Sequence, residues 1–185
     1  QAADKLRTGN TGDNPFKKKE VRQALYQAID IEAIKKKVMR GLSEPAGIIT
    51  FPGVNGYTAD LDKRLPYDVN AAKKLLADAG YPNGFDVELR CPNDRYVNDE
   101  AICTAVVGML GKIGVNVNLF AQTKSKHFKE LKDDQGDFYM LGWGVPTLDS
   151  HYVFHYLYET GASWNKVNFS NADVDAAIRV MEGEV

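Results

Sequence analysis

DVELRCPNDRYVNDEAICTAVVGMLGKIGVNVNLFA, residues 86–121, carries the alternation that decides the fold. At its start Val87, Leu89 and Cys91 alternate with Asp86, Glu88 and Arg90. That period of two belongs to a strand with one face turned toward a core. From 99 to 113, Ile102, Ala105, Val106, Met109, Leu110 and Ile113 recur at helical spacing, and Gly114 stops the run. Val115, Val117, Leu119 and Ala121 then alternate again. Strand, helix, strand in such close succession predicts parallel neighbours joined by a right-handed crossover.

The pattern continues on both sides. Downstream, Ser125 is placed to cap a short helix carrying Phe128 and Leu131. Phe138 to Leu141 is a continuous apolar run ended by Gly142, which reads as a further strand, buried on both faces. A loop with Trp143, Gly144 and Pro146 follows, then the aromatic segment of Tyr152, Phe154, Tyr156 and Tyr158, closed by Trp164 and Phe169. Asn171 opens a last helix with Val174, Ala177, Ile178 and Met181 inward. Upstream, Asp68 caps a helix with Val69, Ala72, Leu75, Leu76 and Ala79 inward, stopped by Gly80, and Tyr81 to Gly84 is a turn. Residues 42–66, broken by Pro45, Pro52 and Pro66, form a long loop of the kind that is functional or wraps the surface. Val21, Ala24, Leu25, Ala28 and Ile29 define another helix. Asp30 caps the next, with Ile31, Ile34 and Val38, ended by Gly41. Residues 1–15 are an irregular lead-in. The fold class is α/β, with a central, mostly parallel sheet flanked by helices.

Composition excludes more than it selects. The 185 residues suffice for one domain with a sizeable core, and 44% hydrophobic with 26% charged residues is ordinary for a globular chain. A net charge of −2 without a basic stripe argues against nucleic acid as a partner. No apolar run reaches the length of a membrane span. The polar, turn-rich start and the closing MEGEV both read as cuts within a larger protein.

In open parallel sheets, ligands sit outside the carboxyl ends of the strands. The loops leaving those ends are 92–98, 122–125 and 142–150, which predicts one edge bearing Arg95, Trp143 and Asp149. Arg95, near a helix N-terminus, suits a carboxylate or other anion; otherwise it pairs with Asp94 or Asp99. Trp143, between strand and glycine, is placed to stack on a ligand or to lid the core. Asp149 meets a ligand's cation or serves as a plain helix cap, the reading preferred here.

His151 and His155 have the i, i+4 spacing of metal ligands, but the glutamate of HExxH is missing and no third ligand is evident, so no metal is assigned. Cys103, His127 and Asp149 make a nucleophile, base and orienter on paper. No nucleophile elbow supports them, and a buried cysteine with a surface histidine is the plainer reading. Cys91 and Cys103 are two buried thiols or one disulfide, and their spacing does not separate these. There is no phosphate loop and no cofactor motif.

With these residues in view, the chain resembles the peptide/nickel class of ABC-transporter solute-binding proteins, family 5. The match is carried by NPFKKKEVRQALYQAIDIEAI, LPYDVNAAKKLLADAGYPNGF, KIGVNVNL, GDFYMLGWG and FSNADVDAAI, in the family's order. The resemblance implies the second lobe of a two-lobed, type II periplasmic binding protein, with residues 1–185 as a single lobe and the first lobe lying outside the chain. It implies a monomer with no catalysis and no cofactor, outside the cytoplasmic membrane, binding a peptide or other small polar solute and delivering it to the membrane permease of an importer. It implies a Cys91–Cys103 disulfide, since that compartment is oxidising. It implies ligand contacts at Arg95, Trp143, Asp149, Tyr152, Trp164 and Asn165. Peptide-binding members carry an aspartate for the ligand's amino terminus where this sequence has Pro146. The alternatives are a hydrolase using Cys103 or a metal at His151 and His155, and a ligand-sensing receptor domain.

Overall fold

The computed structural model describes residues 4–6 and 11–183. The polar lead-in lies partly outside them, as do the last two residues. The described chain divides into two compact units, one built from 46–64 and 142–183, the other from the stretches up to 45 and from 65–141.

The larger unit contains α1 (Lys19–Ala28), α2 (Ile31–Ala33), α3 (Val69–Asp78), β1 (Asp86–Pro92), α4 (Asp99–Gly111), β2 (Asn116–Gln122), α5 (Lys124–Lys132) and β3 (Phe138–Tyr139). Its sheet is parallel, in the order β2-β1-β3, and β1 pairs with β2 along its whole length from Asp86↔Asn116 to Pro92↔Gln122. The alternation read from 86–121 therefore holds. Val87, Leu89 and Cys91 are buried with Ala24, Leu25, Ala72, Leu76 and Leu110 from α1, α3 and α4. Leu76 and Leu110, both essentially fully buried, each contribute about 2–3 kcal/mol by leaving water. The opposite side of β1 carries Glu88 and Arg90, and Arg90 pairs both with Glu88 and with Glu130 of α5.

The turns before the two long strands explain two glycines. Gly84 has φ +73°, and a Cβ there would stand 1.9 Å from the carbonyl oxygen of Gly114. The two turns touch backbone to backbone, so a side chain at 84 would push apart the entry to β1 and β2.

Asp68 caps α3 by accepting from the Ala71 N–H at 2.9 Å. Asp68→Ala is expected to lower stability by about 1 kcal/mol in denaturant unfolding, the usual effect of losing such a cap.

The structure corrects four expectations in this unit. The run 138–141 yields only a two-residue strand, half-buried, because β3 is an edge strand covered along one side only. Ser125 is not a cap: it lies inside α5, whose first N–H, that of Lys124, is taken by the carboxylate of Asp94. The helix begun at Asp30 does not run regularly but passes into a π-helical turn, Ile34–Val38, closed by Met39 N–H on the carbonyl of Ile34 at 3.0 Å. His127 is fully buried rather than on the surface; its Nε2 lies 2.9 Å from the Met140 carbonyl, and burial pulls its pKa down.

The smaller unit holds α6 (Ser150–Leu157) and α7 (Ala172–Gly183). Its core is Val54, Val145 and Val153, with Trp143, Tyr152, Leu157 and Tyr158 packed against it. Asn55 joins the long loop to the helix entrance: its N–H donates to Leu148 and its carbonyl accepts from Ser150. Asn171, where the sequence opens the last helix, caps α7 by accepting from Asp173 and Val174 N–H. No helix among the described residues is long and apolar enough to cross a membrane.

Candidate functional site

In the larger unit, the loops leaving β1 and β2 are tied together, the Asn93 N–H donating to the Gln122 carbonyl at 2.9 Å. Asp99 shapes the first of them. It is almost fully buried, and its carboxylate accepts from the N–H groups of Arg95 and Tyr96 through one oxygen and of Glu100 through the other, all at 2.9 Å. Burial pushes its pKa up, but those backbone donors outweigh it and hold the carboxyl below its ordinary range. Asp99 thus spends itself on the backbone, and Asp94 on Lys124. The exposed Arg95 guanidinium instead lies 5.1 Å over the ring of Tyr96, in reach of an incoming anion.

In the smaller unit, Trp143 is the hub of an aromatic surface. Its ring centroid is 6.1 Å from Tyr152, 6.1 Å from Tyr156 and 5.9 Å from Trp164, the last edge-on. Tyr152 and Tyr156, one helical turn apart on α6, are 4.8 Å apart. The ring is half-buried on the valine core, yet its Nε1–H is shielded from solvent with no acceptor. Trp143 thus covers the valine core and keeps a shielded donor without an acceptor.

Asp149 is the N-cap of α6, accepting from His151 N–H at 2.8 Å, while its other oxygen accepts from Asn55 Nδ2 at 2.9 Å. The Asn55 bond, then the His151 N–H, hold its pKa down, so it stays an anion at the rim of the aromatic surface. Asn165 is buried. Its amide donates to the carbonyls of Glu159 and Phe169 and accepts from the Phe169 N–H, so it braces the 159–169 loop that presents Trp164.

The sequence offers Asp99 only as a partner for the Arg95 side chain; that its carboxylate takes the backbone N–H groups of the loop instead depends on the loop's own conformation. Nor does the sequence pair Asn55 with Asp149, which are 94 residues apart. For the thiol reading, the structure is decisive. Cys103 is disulfide-bonded to Cys91, and Met140 Sδ lies 3.6 and 3.7 Å from the two sulfurs. Cys103 therefore offers no thiolate.

Residues 8–165 match the family described as bacterial extracellular solute-binding proteins, family 5 middle. The chain belongs to that family, which is made up of solute-binding proteins rather than enzymes. Among curated relatives, it is 29% identical over 177 residues to a heme-binding protein of Haemophilus influenzae, covering 91% of this chain and 32% of the relative. It is 30% identical over 164 residues to the dipeptide-binding protein of Escherichia coli, covering 87% of this chain and 30% of the relative. The dipeptide-binding protein of a Pseudoalteromonas species, solved with Met-Leu, superposes with TM-score 0.81 at 30% identity, over 92% of this chain and 35% of that one. The chain thus spans about a third of the length of the relatives it matches.

Proposed function

We propose that the protein is the substrate-binding component of an ABC importer, acting in the periplasm or tethered outside the membrane, with this chain as its second lobe. It binds a peptide or other small polar solute, as a monomer without catalysis, and delivers it to a membrane permease. The observation that carries the reading is the family match over 8–165, with relatives that bind dipeptides and heme. The aromatic surface around Trp143 supports it, since flat rings beside an unpaired donor hold polar, partly planar ligands. In the smaller unit Trp143, Tyr152 and Trp164 supply stacking, Asp149 a negative charge and Asn165 the bracing of the loop; in the larger unit Arg95 offers an anion contact.

Pro146 bears on specificity. It stands where peptide-binding members, by the resemblance above, place an aspartate for the ligand's amine. Asp149 then becomes the amine partner, or the ligand lacks a free amine.

A thermal-shift screen of the purified protein against dipeptides, longer peptides, sugars and amine-free acids tests this, because a ligand that binds only the folded state raises Tm with its concentration. The best ligand is then titrated calorimetrically. Trp143→Ala is expected to weaken it by about 10–100-fold, the effect of removing a central aromatic anchor. A ligand whose affinity is indifferent to both Trp143→Ala and Arg95→Gln would remove this site assignment.

A further inference from the structure

We propose that His151, His155 and Glu182 form a binding site for a divalent transition-metal ion, such as zinc, nickel or cobalt, between α6 and α7 of the smaller unit. The site is separate from the solute-binding role argued above and does not depend on it.

The geometry comes from two helices. The histidines are one turn apart on α6, and their rings stack with centroids 5.5 Å apart and planes 21° from parallel. Glu182, near the end of α7, directs Oε1 at both of them, 3.6 Å from His151 Nε2 and 3.8 Å from His155 Nδ1. One ligand atom from each residue falls within 4.8 Å of the others. The third ligand that the histidine spacing lacked in sequence is thus delivered from a helix 27 residues further on, counting from His155 to Glu182.

The state of the two nitrogens points to a cation. His151 Nε2 and His155 Nδ1 are both shielded from solvent and have no hydrogen-bond partner. Shielded nitrogens are ordinarily satisfied, and here both face one carboxylate. Glu159 Oε2 lies 2.8 Å from His155 Nδ1, within ion-pair distance but without the alignment of a hydrogen bond, and adds a second carboxylate beside that nitrogen.

The donor set selects the metal. Two neutral imidazoles with carboxylate oxygens suit zinc, nickel, copper and cobalt, whereas calcium and magnesium take oxygen ligands. Tetrahedral bonds of about 2.0–2.1 Å place donor atoms roughly 3.4 Å apart. The two histidine–glutamate separations are already within a few tenths of an ångström of that, and a small side-chain rotation closes the rest. The bound ion would clasp α6 to α7.

The test uses tag-free protein stripped with a chelator, then titrated with Zn²⁺ by calorimetry and with Co²⁺ by visible absorption. One ion per chain is expected, with the intense visible bands of low-coordinate cobalt. The double variant His151→Gln, His155→Gln is expected to bind at least about 100-fold more weakly, and Glu182→Gln about 10–100-fold more weakly. Zn²⁺ should raise Tm in the wild type and leave it unchanged in the double variant. Should the double variant fail to fold, Glu182→Gln decides alone, since that side chain is half-exposed near a helix end. Wild-type protein that binds neither ion, or variants that bind as tightly as wild type, would overturn the proposal. So would calcium binding in preference to zinc.

Discussion

Arg90→Met is expected to lower the unfolding free energy by about 3 kcal/mol, read from urea unfolding. Arg90 lies in the central strand, on the face opposite the apolar core, and its side chain is only 13% exposed. It holds two carboxylates: Glu88, at 2.7 Å on its own strand, and Glu130 of α5, with which it makes a close ion pair. Gln122, at the end of β2, donates to Glu130 at 2.6 Å, and the Phe120 ring packs 5.6 Å from the guanidinium carbon. Methionine fills the volume but supplies no charge, leaving two nearly buried carboxylates without their shared cation. Removing one partner of a buried pair costs about 3–5 kcal/mol. The lower end applies here because Lys126 still approaches Glu130, at 3.8 Å. Pairing Arg90→Met with Glu130→Gln should recover part of the loss. A single variant as stable as wild type would mean the network contributes nothing.

The same network sets an acid limit. Burial pushes the Glu130 pKa up, but the Gln122 hydrogen bond and the Arg90 charge more than offset it and hold the carboxyl below its ordinary 4.5. A carboxyl depressed in the folded state stabilises fully above its unfolded pKa, and that contribution is lost as pH falls through the folded value. Wild-type stability is therefore expected to decline as pH drops below about 4.5, with a shallower decline in Arg90→Met.

The double substitution Cys91→Ala, Cys103→Ala is expected to cost about 3 kcal/mol, the chain-entropy value for a loop of this size. The bond spans a sequence separation of 12 and ties the carboxyl end of β1 to α4, with both cysteines in the core. For a chain of this length, that loss corresponds to a Tm lower by roughly 6–12 °C. Cys91 is 0% and Cys103 3% exposed, so reductant should act only once the unit opens. Alkylation with mass spectrometry should find no free thiol in the folded protein and two after reduction in denaturant. Two reactive thiols in native, oxidised protein would refute the bond.

How much of this was legible beforehand follows from where each interaction partner lies along the chain. The sheet was readable from 86–121 because alternation and helical spacing are local patterns, and one buried face imposes them on every second residue. The caps at Asp30, Asp68 and Asp149 are readable for the same reason, each bonding a backbone N–H two or three residues on. The half-burial of β3 is not legible in sequence, because an apolar run does not say whether a strand is central or at an edge. His127 was misplaced because nothing near it in sequence reveals the Met140 carbonyl that its ring meets.

The sequence by itself therefore determined the α/β class, the order of its elements and the caps at Asp30, Asp68 and Asp149, which rest on patterns within a turn or a strand, and the family, which rests on five such segments in order. Only the tertiary structure decided which cysteine state holds, that Asp99 spends its charge on the Arg95 loop, that Trp143 keeps a shielded donor without an acceptor, and that Glu182 comes to the histidine pair. Each of those depends on how side chains and backbone groups meet in space, and a carboxylate or thiol close in sequence can be claimed by another group before it reaches the expected one.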